Sequence, residues 1–261
     1  MPTCSPHLVR PRRTATFLVT CLLGGVGAAG TASTPATAAV VSGPVAAKAP
    51  IASPRNVTLD GVKVRLEPGT RQVVTVNRTR GTHARVTYWG HRDGKWRKRA
   101  RTAKGRIGYG GLVSGTERRQ GTGTTPLGTY PLESTFGSKA RKSTWAMPYH
   151  RFDSDDYWVL DNASPHYNRL RDRDAGGFRW WLPASNRNAS ERLVDYGKQY
   201  EMAVVIGFNT RNPVRYRGAG IFLHVNGTGA TAGCVGVPRW FMRTTMHRLR
   251  PGHRPVIAIS R

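Results

Sequence analysis

The chain has 261 residues and sets 41 Lys and Arg against 14 Asp and Glu, a formal net charge of +27 at neutral pH. A hydrophobic fraction of 38% with seven Trp, nine Tyr and seven Phe excludes a disordered chain and is enough for a sizeable core. The charge excludes indifference to polyanions, but the arginines are scattered rather than gathered in one tract, which favours a solvated basic surface that meets anionic envelope polymers over a specific nucleic-acid groove.

In chain order, Arg10, Arg12 and Arg13 precede the apolar TATFLVTCLLGGVGAAG and the small-residue site Ala36-Thr37-Ala38. This reads as a signal peptide over 1–39, so a secreted, cell-wall-associated protein is expected. The stretch is short and interrupted by glycine, and no transmembrane helix is expected after its removal. Cys4 and Cys21 leave with it, so the mature chain keeps only Cys234 and forms no internal disulfide. Residues 40–56, rich in Ala, Pro and Ser, read as a flexible linker, and 57–261 as one domain.

Within that domain, alternating runs at Val57 to Leu66, Gln72 to Val76 and Ala84 to Trp89 are split by Asp60-Gly61, Pro68-Gly69 and Asp93-Gly94, the pattern of antiparallel hairpins. A long Gly/Pro-rich loop then leads into a strand around Thr129 to Leu132. Another strand is expected at Tyr157 to Leu160, and a short helix at Ser190 to Asp195 with Ser190 as its cap. Met202 to Phe208 and Ile221 to Val225 have the composition of buried strands. Pro238 opens a helix with Met242, Met246 and Leu249 on one face, and PVIAIS closes as a strand. The fold class is mainly β, with one or two short helices.

The chemistry concentrates in HVNGTGATAGCVGVP, His224 to Pro238. A thiolate is the nucleophile in cysteine chemistry, and a neighbouring imidazole is the usual means of forming it. Gly227, Gly229 and Gly233 let the loop double back so that Cys234 returns to His224, and backbone N–H groups of Gly233 and Cys234 are candidates for holding an oxyanion. A buried, inert cysteine beside a satisfied histidine is the competing reading. No two of the eight histidines stand at i, i+4, and one cysteine is too few for a structural zinc centre, so neither metal nor cofactor is expected. Papain-like enzymes place cysteine before histidine, and caspases and sortases separate the pair by tens of residues.

At these residues the sequence resembles the YkuD-type L,D-transpeptidases, whose signature is a strand histidine followed by a short loop ending in Ser/Thr-x-Gly-Cys. His224, Thr231, Gly233 and Cys234 match it, and Thr125, Pro126, Gly128, Thr129 and Tyr130 match a second family segment. The resemblance implies a single β-sandwich or barrel-like domain and a cysteine transpeptidase that acts on peptidoglycan stem peptides through a Cys234 thioester. It implies His224 as general base; Thr231, Tyr167 and Asn168 are candidate substrate contacts, with strand-end packing as the competing reading for Tyr167 and Asn168, and a monomer is expected. Ala232 and Gly236 stand where many members carry histidine and arginine, and the gap between His224 and Cys234 is shorter than usual.

Overall fold

The computed structural model describes residues 53–261. The signal peptide and residues 40–52 of the expected linker lie outside the described residues. Strand β1 (Arg55–Leu59) begins within the stretch read as linker and pairs with β2 (Val62–Leu66). Asp60 and Gly61 at the tip take φ of 52° and 79°, the left-handed pair that a two-residue hairpin turn requires. After β3 (Gln72–Arg80), the same device, Asp93 and Gly94 at 52° and 72°, joins β4 (His83–Arg92) to β5 (Lys95–Arg106).

β5 has no apolar alternation to betray it. Its twelve residues, KWRKRARTAKGR, are mostly exposed, and pairing with β4 along its length makes it a strand. The next strands are β6 (Leu112–Ser114) and β7 (Thr125–Gly137), the latter far longer than the expected Thr129 to Leu132 because it pairs in turn with β6, β15 (Val256–Ser260), β8 (Tyr149–Arg151) and β12 (Ala203–Ile206).

A small satellite sheet sets β9 (Asp156–Trp158) between β10 (Leu170–Asp172) and β11 (Glu191–Arg192). The helix expected at Ser190 to Asp195 is instead β11 followed by a 3-10 turn over Leu193–Tyr196. Ser190 does not cap it; its Oγ accepts the Leu160 N–H at 3.2 Å.

The main sheet runs β12, β13 (Phe222–Val225), β14 (Val235–Val237), β5, β4, β3, β15, β7, and the pairing of β7 with β12 closes it into a barrel-like ring. The fold is thus mainly β. The one α-helix among the described residues, α1 (Arg239–Arg248), starts after Pro238 and buries Phe241, Met242 and Met246. Among the described residues no helix is long and apolar enough to cross a membrane.

Alternation along the central strands splits the apolar residues between two cores. Val204, Leu223, Val225 and Val235 join the α1 residues on one side. Ala203, Val205, Phe222 and Cys234 face the other, against Phe136, Trp158 and Tyr200. Phe222 centres that second core, with ring centroids 5.0, 4.8 and 5.5 Å from Phe136, Trp158 and Tyr200. Truncating such a side chain to Ala costs about 3–5 kcal/mol.

Candidate active site

β13 and β14 are parallel, so the loop between them must carry the chain back from the end of one strand to the start of the other. The register sets Leu223 beside Val235. Cys234 is therefore level with Phe222, and Phe222, His224 and Cys234 share a face by the two-residue period of a strand. Both His224 and Cys234 line one cleft of about 310 Å³, together with Tyr109, Arg118, Glu191 and Tyr200.

Main-chain bonds pin the return loop. Thr231 bridges the 107–109 segment, accepting from the Tyr109 N–H at 2.8 Å and donating its own N–H to the Ile107 carbonyl at 3.1 Å. Its hydroxyl donates to the Cys234 carbonyl at 2.6 Å. Thr125, from the upstream motif, donates its hydroxyl to that carbonyl at 3.4 Å and accepts the Gly108 N–H at 2.8 Å. The two sequence motifs therefore meet at the backbone of the cysteine. Gly233 has φ of 133°, and a Cβ there would stand 2.8 Å from Arg118 Nη2 and 2.9 Å from the Thr124 carbonyl; only glycine fits without displacing them.

The resting pair is neutral. Burial pushes the Cys234 thiol up to about 12, with Glu191 adding to the rise and the Phe222 N–H, Arg118 and Tyr200 opposing it. The sulfur accepts the Phe222 N–H and donates to the Gly220 carbonyl, both at 3.3 Å. Burial likewise pulls His224 down to about 4, against the contact of its Nδ1 with the Val225 carbonyl at 2.7 Å. A carbonyl can only accept, so Nδ1 carries the proton and Nε2 is left as the basic nitrogen.

Not every expected contact lies here. The Gly233 N–H donates to the Thr231 hydroxyl at 3.2 Å and is engaged in the loop rather than aimed at an oxyanion. Tyr167 and Asn168 do not line the cleft. Tyr167 is buried and links Gln120 to the Gly218 N–H. Asn168, at φ 60°, accepts from the Trp158 indole and the Gly220 N–H and donates to the Phe208 and Asn209 carbonyls. Both shape the wall behind the site. A turn residue with a short amide side chain is suited to such cross-bonding.

Three cleft residues went unread in the sequence. Arg118 is only 3% exposed. Its guanidinium donates to the Thr124 and Arg217 carbonyls at 2.8 and 3.1 Å, and its charge favours the thiolate. The Tyr200 ring lies 5.4 Å from the His224 ring, and its hydroxyl donates to Glu191 at 2.8 Å. Burial raises Glu191 to about 7. None belongs to a local motif; each arrives from a separate loop or short strand.

A second concavity, about 650 Å³, has a different character. Arg71, Arg92, Arg99, Arg248 and Arg250 ring it, and Tyr88 forms part of its wall. Arg92 has Asp93 at 3.4 Å, but among the described residues Arg71, Arg99, Arg248 and Arg250 face no carboxylate within 4 Å. No group of three or more His, Cys, Asp or Glu among the described residues is placed to hold a metal ion.

The described residues thus form a closed, mainly β domain with a buried histidine and cysteine sharing one cleft. The family described as the L,D-transpeptidase catalytic domain, YkuD, matches residues 71–257, and the chain belongs to it. Neither a curated protein nor a solved structure matches the chain.

Proposed function

We propose that the protein is a secreted L,D-transpeptidase that remodels peptidoglycan cross-links through an acyl-enzyme on Cys234. The observation that carries this reading is the shared cleft: His224 and Cys234 stand on one sheet face, with the imidazole tautomer set by the Val225 carbonyl. His224 Nε2 takes the thiol proton as the sulfur attacks the carbonyl of the donor's third residue. The C–N bond to the terminal D-alanine breaks, and the imidazole returns its proton to the leaving amine. Attack of an acceptor amine on the thioester then forms the cross-link. Proton transfer coupled to attack suits this site better than a standing ion pair, because burial disfavours charge on both groups. The Cys234 N–H and the Arg118 charge support the developing oxyanion.

Water in place of the acceptor amine makes the same site an L,D-carboxypeptidase. The exposed arginines favour retention on anionic wall polymers, with the arginine-ringed concavity as their most concentrated contact. The test is a mass measurement. Mature protein incubated with a carbapenem should gain one adduct on Cys234, and a muropeptide digest from cells expressing it should contain new cross-links. Absence of any adduct, with a thiol inert to alkylation, supports instead a non-catalytic basic domain.

A further inference from the structure

Glu191 is the acid that lines the thiol cleft. Most other buried or half-buried carboxylates have a basic partner: Asp60 meets Arg85 at 2.8 Å, Asp161 meets Arg179 at 2.5 Å, Asp156 meets His150 at 2.7 Å and Glu201 meets Arg239 at 2.8 Å; Glu133, held by the Thr210 hydroxyl at 2.8 Å, lies outside that cleft. In a chain with 41 Lys and Arg, Glu191 has only a neutral hydroxyl, that of Tyr200 at 2.8 Å. Arg118 shares the cleft, but its Nε and Nη1 are spent on the Thr124 and Arg217 carbonyls. A carboxylate left without a cation in a partly desolvated cleft is costly unless a cation arrives there.

Position says which cation. Glu191 lines the same cleft as His224 and Cys234, and so does Tyr200, whose hydroxyl donates to it. The transfer step of the reaction proposed above brings an amine to that sulfur, and a primary amine is an ammonium at neutral pH. It must lose one proton before it can attack and a second as the amide forms. His224 can account for only one of these at a time.

We propose that Glu191 is the acceptor-amine site: its carboxylate pairs with the incoming ammonium and takes the first proton, so that the free amine attacks the Cys234 thioester. This rests on the transpeptidase reading and adds to it a residue that separates transfer from hydrolysis. In the balanced step, the ammonium gives one proton to Glu191. The nitrogen lone pair then forms the C–N bond, the C–S bond breaks, and the second nitrogen proton passes through His224 to the departing sulfur. Glu191 afterwards releases its proton to water. Attack by water has no ammonium to bind, so hydrolysis gains nothing from this carboxylate.

The experiment loads the full-length mature enzyme with a tetrapeptide donor and measures the ratio of transfer to hydrolysis with two acceptors, a diamino acid amide and hydroxylamine, which is uncharged at neutral pH. E191Q keeps the size and the Tyr200 contact. At equal acyl-enzyme loading, it should lower transfer to the ammonium acceptor by about a hundredfold and leave transfer to hydroxylamine unaffected. E191D should restore part of the loss. An unchanged ratio in E191Q, or equal losses with both acceptors and in acylation, overturns the proposal and leaves Glu191 a structural group. Failure of the wild-type enzyme to acylate overturns the transpeptidase reading, and this proposal with it.

Discussion

The thiol cleft and the arginine-ringed concavity solve opposite problems with similar residues. Each includes a tyrosine and arginine. In the cleft the single arginine, Arg118, is buried and fixed by two main-chain carbonyls. In the concavity the arginines are mostly exposed and, apart from Arg92, face no acid, and the Tyr88 hydroxyl accepts from Gln72 at 2.7 Å. A preorganised charge selects a reacting atom; a loose, uncompensated set holds a polymer without choosing its position. The difference teaches that net charge alone does not distinguish one fixed, buried arginine from a loose, exposed set.

The comparison breaks most sharply if the two sites fail to separate under mutation. C234S should abolish the carbapenem adduct while leaving elution from isolated cell walls at the same salt concentration, as mass spectrometry and a salt gradient would show. H224N should slow acylation by about 10²–10⁴-fold with the same wall binding. Next in size, G233A places a Cβ against Arg118 and forces an unfavourable φ. A loss of about 1–3 kcal/mol in urea unfolding is expected, with slower acylation. The converse variant, R71Q/R99Q/R248Q, should elute at lower salt, its dependence on log salt falling by about one per lost contact, while adduct formation is unchanged.

The smallest effect lies in acid stability. Glu191 is raised to about 7 from about 4.3 in an unfolded chain, so its folded form holds a proton the unfolded chain releases, and its contribution to stability falls as pH rises through that window. His224 is lowered to about 4 from about 6.5, and its contribution is lost as pH falls from 6.5 toward 4. The two slopes oppose each other. E191Q should therefore show a melting temperature that drops more steeply than wild type between pH 6.5 and 4; an identical profile would mean that Glu191 is not buried as described.

Much of the site was legible because its chemistry is local. The run from His224 to Cys234 carries the cysteine, the imidazole and the loop glycines, and the parallel register of β13 and β14 then makes proximity a matter of geometry. Hairpins were equally readable, since Asp60-Gly61 and Asp93-Gly94 encode their turns. What could not be read depends on distant partners. β5 is polar throughout and is a strand only because β4 pairs with it. β14 is three residues long and follows glycines that looked like loop. Glu191 lay in a segment with helix-like signals, and its importance comes from Tyr200 and the cleft. Tyr167 and Asn168 were candidates for substrate contact, but their polar atoms are consumed within the wall.

The closure of the ring has a practical outcome for anyone shortening this chain. β15, the last strand, pairs parallel with β3 and antiparallel with β7. Trimming the polypeptide before Val256 would leave β3 and β7 each with one open edge, presenting bare main-chain donors and acceptors to other copies. Clumping during expression, more than a gentle loss of turnover, is the expected fate of such a trimmed product, and a tag is better attached through a spacer beyond Arg261 than substituted for these final residues.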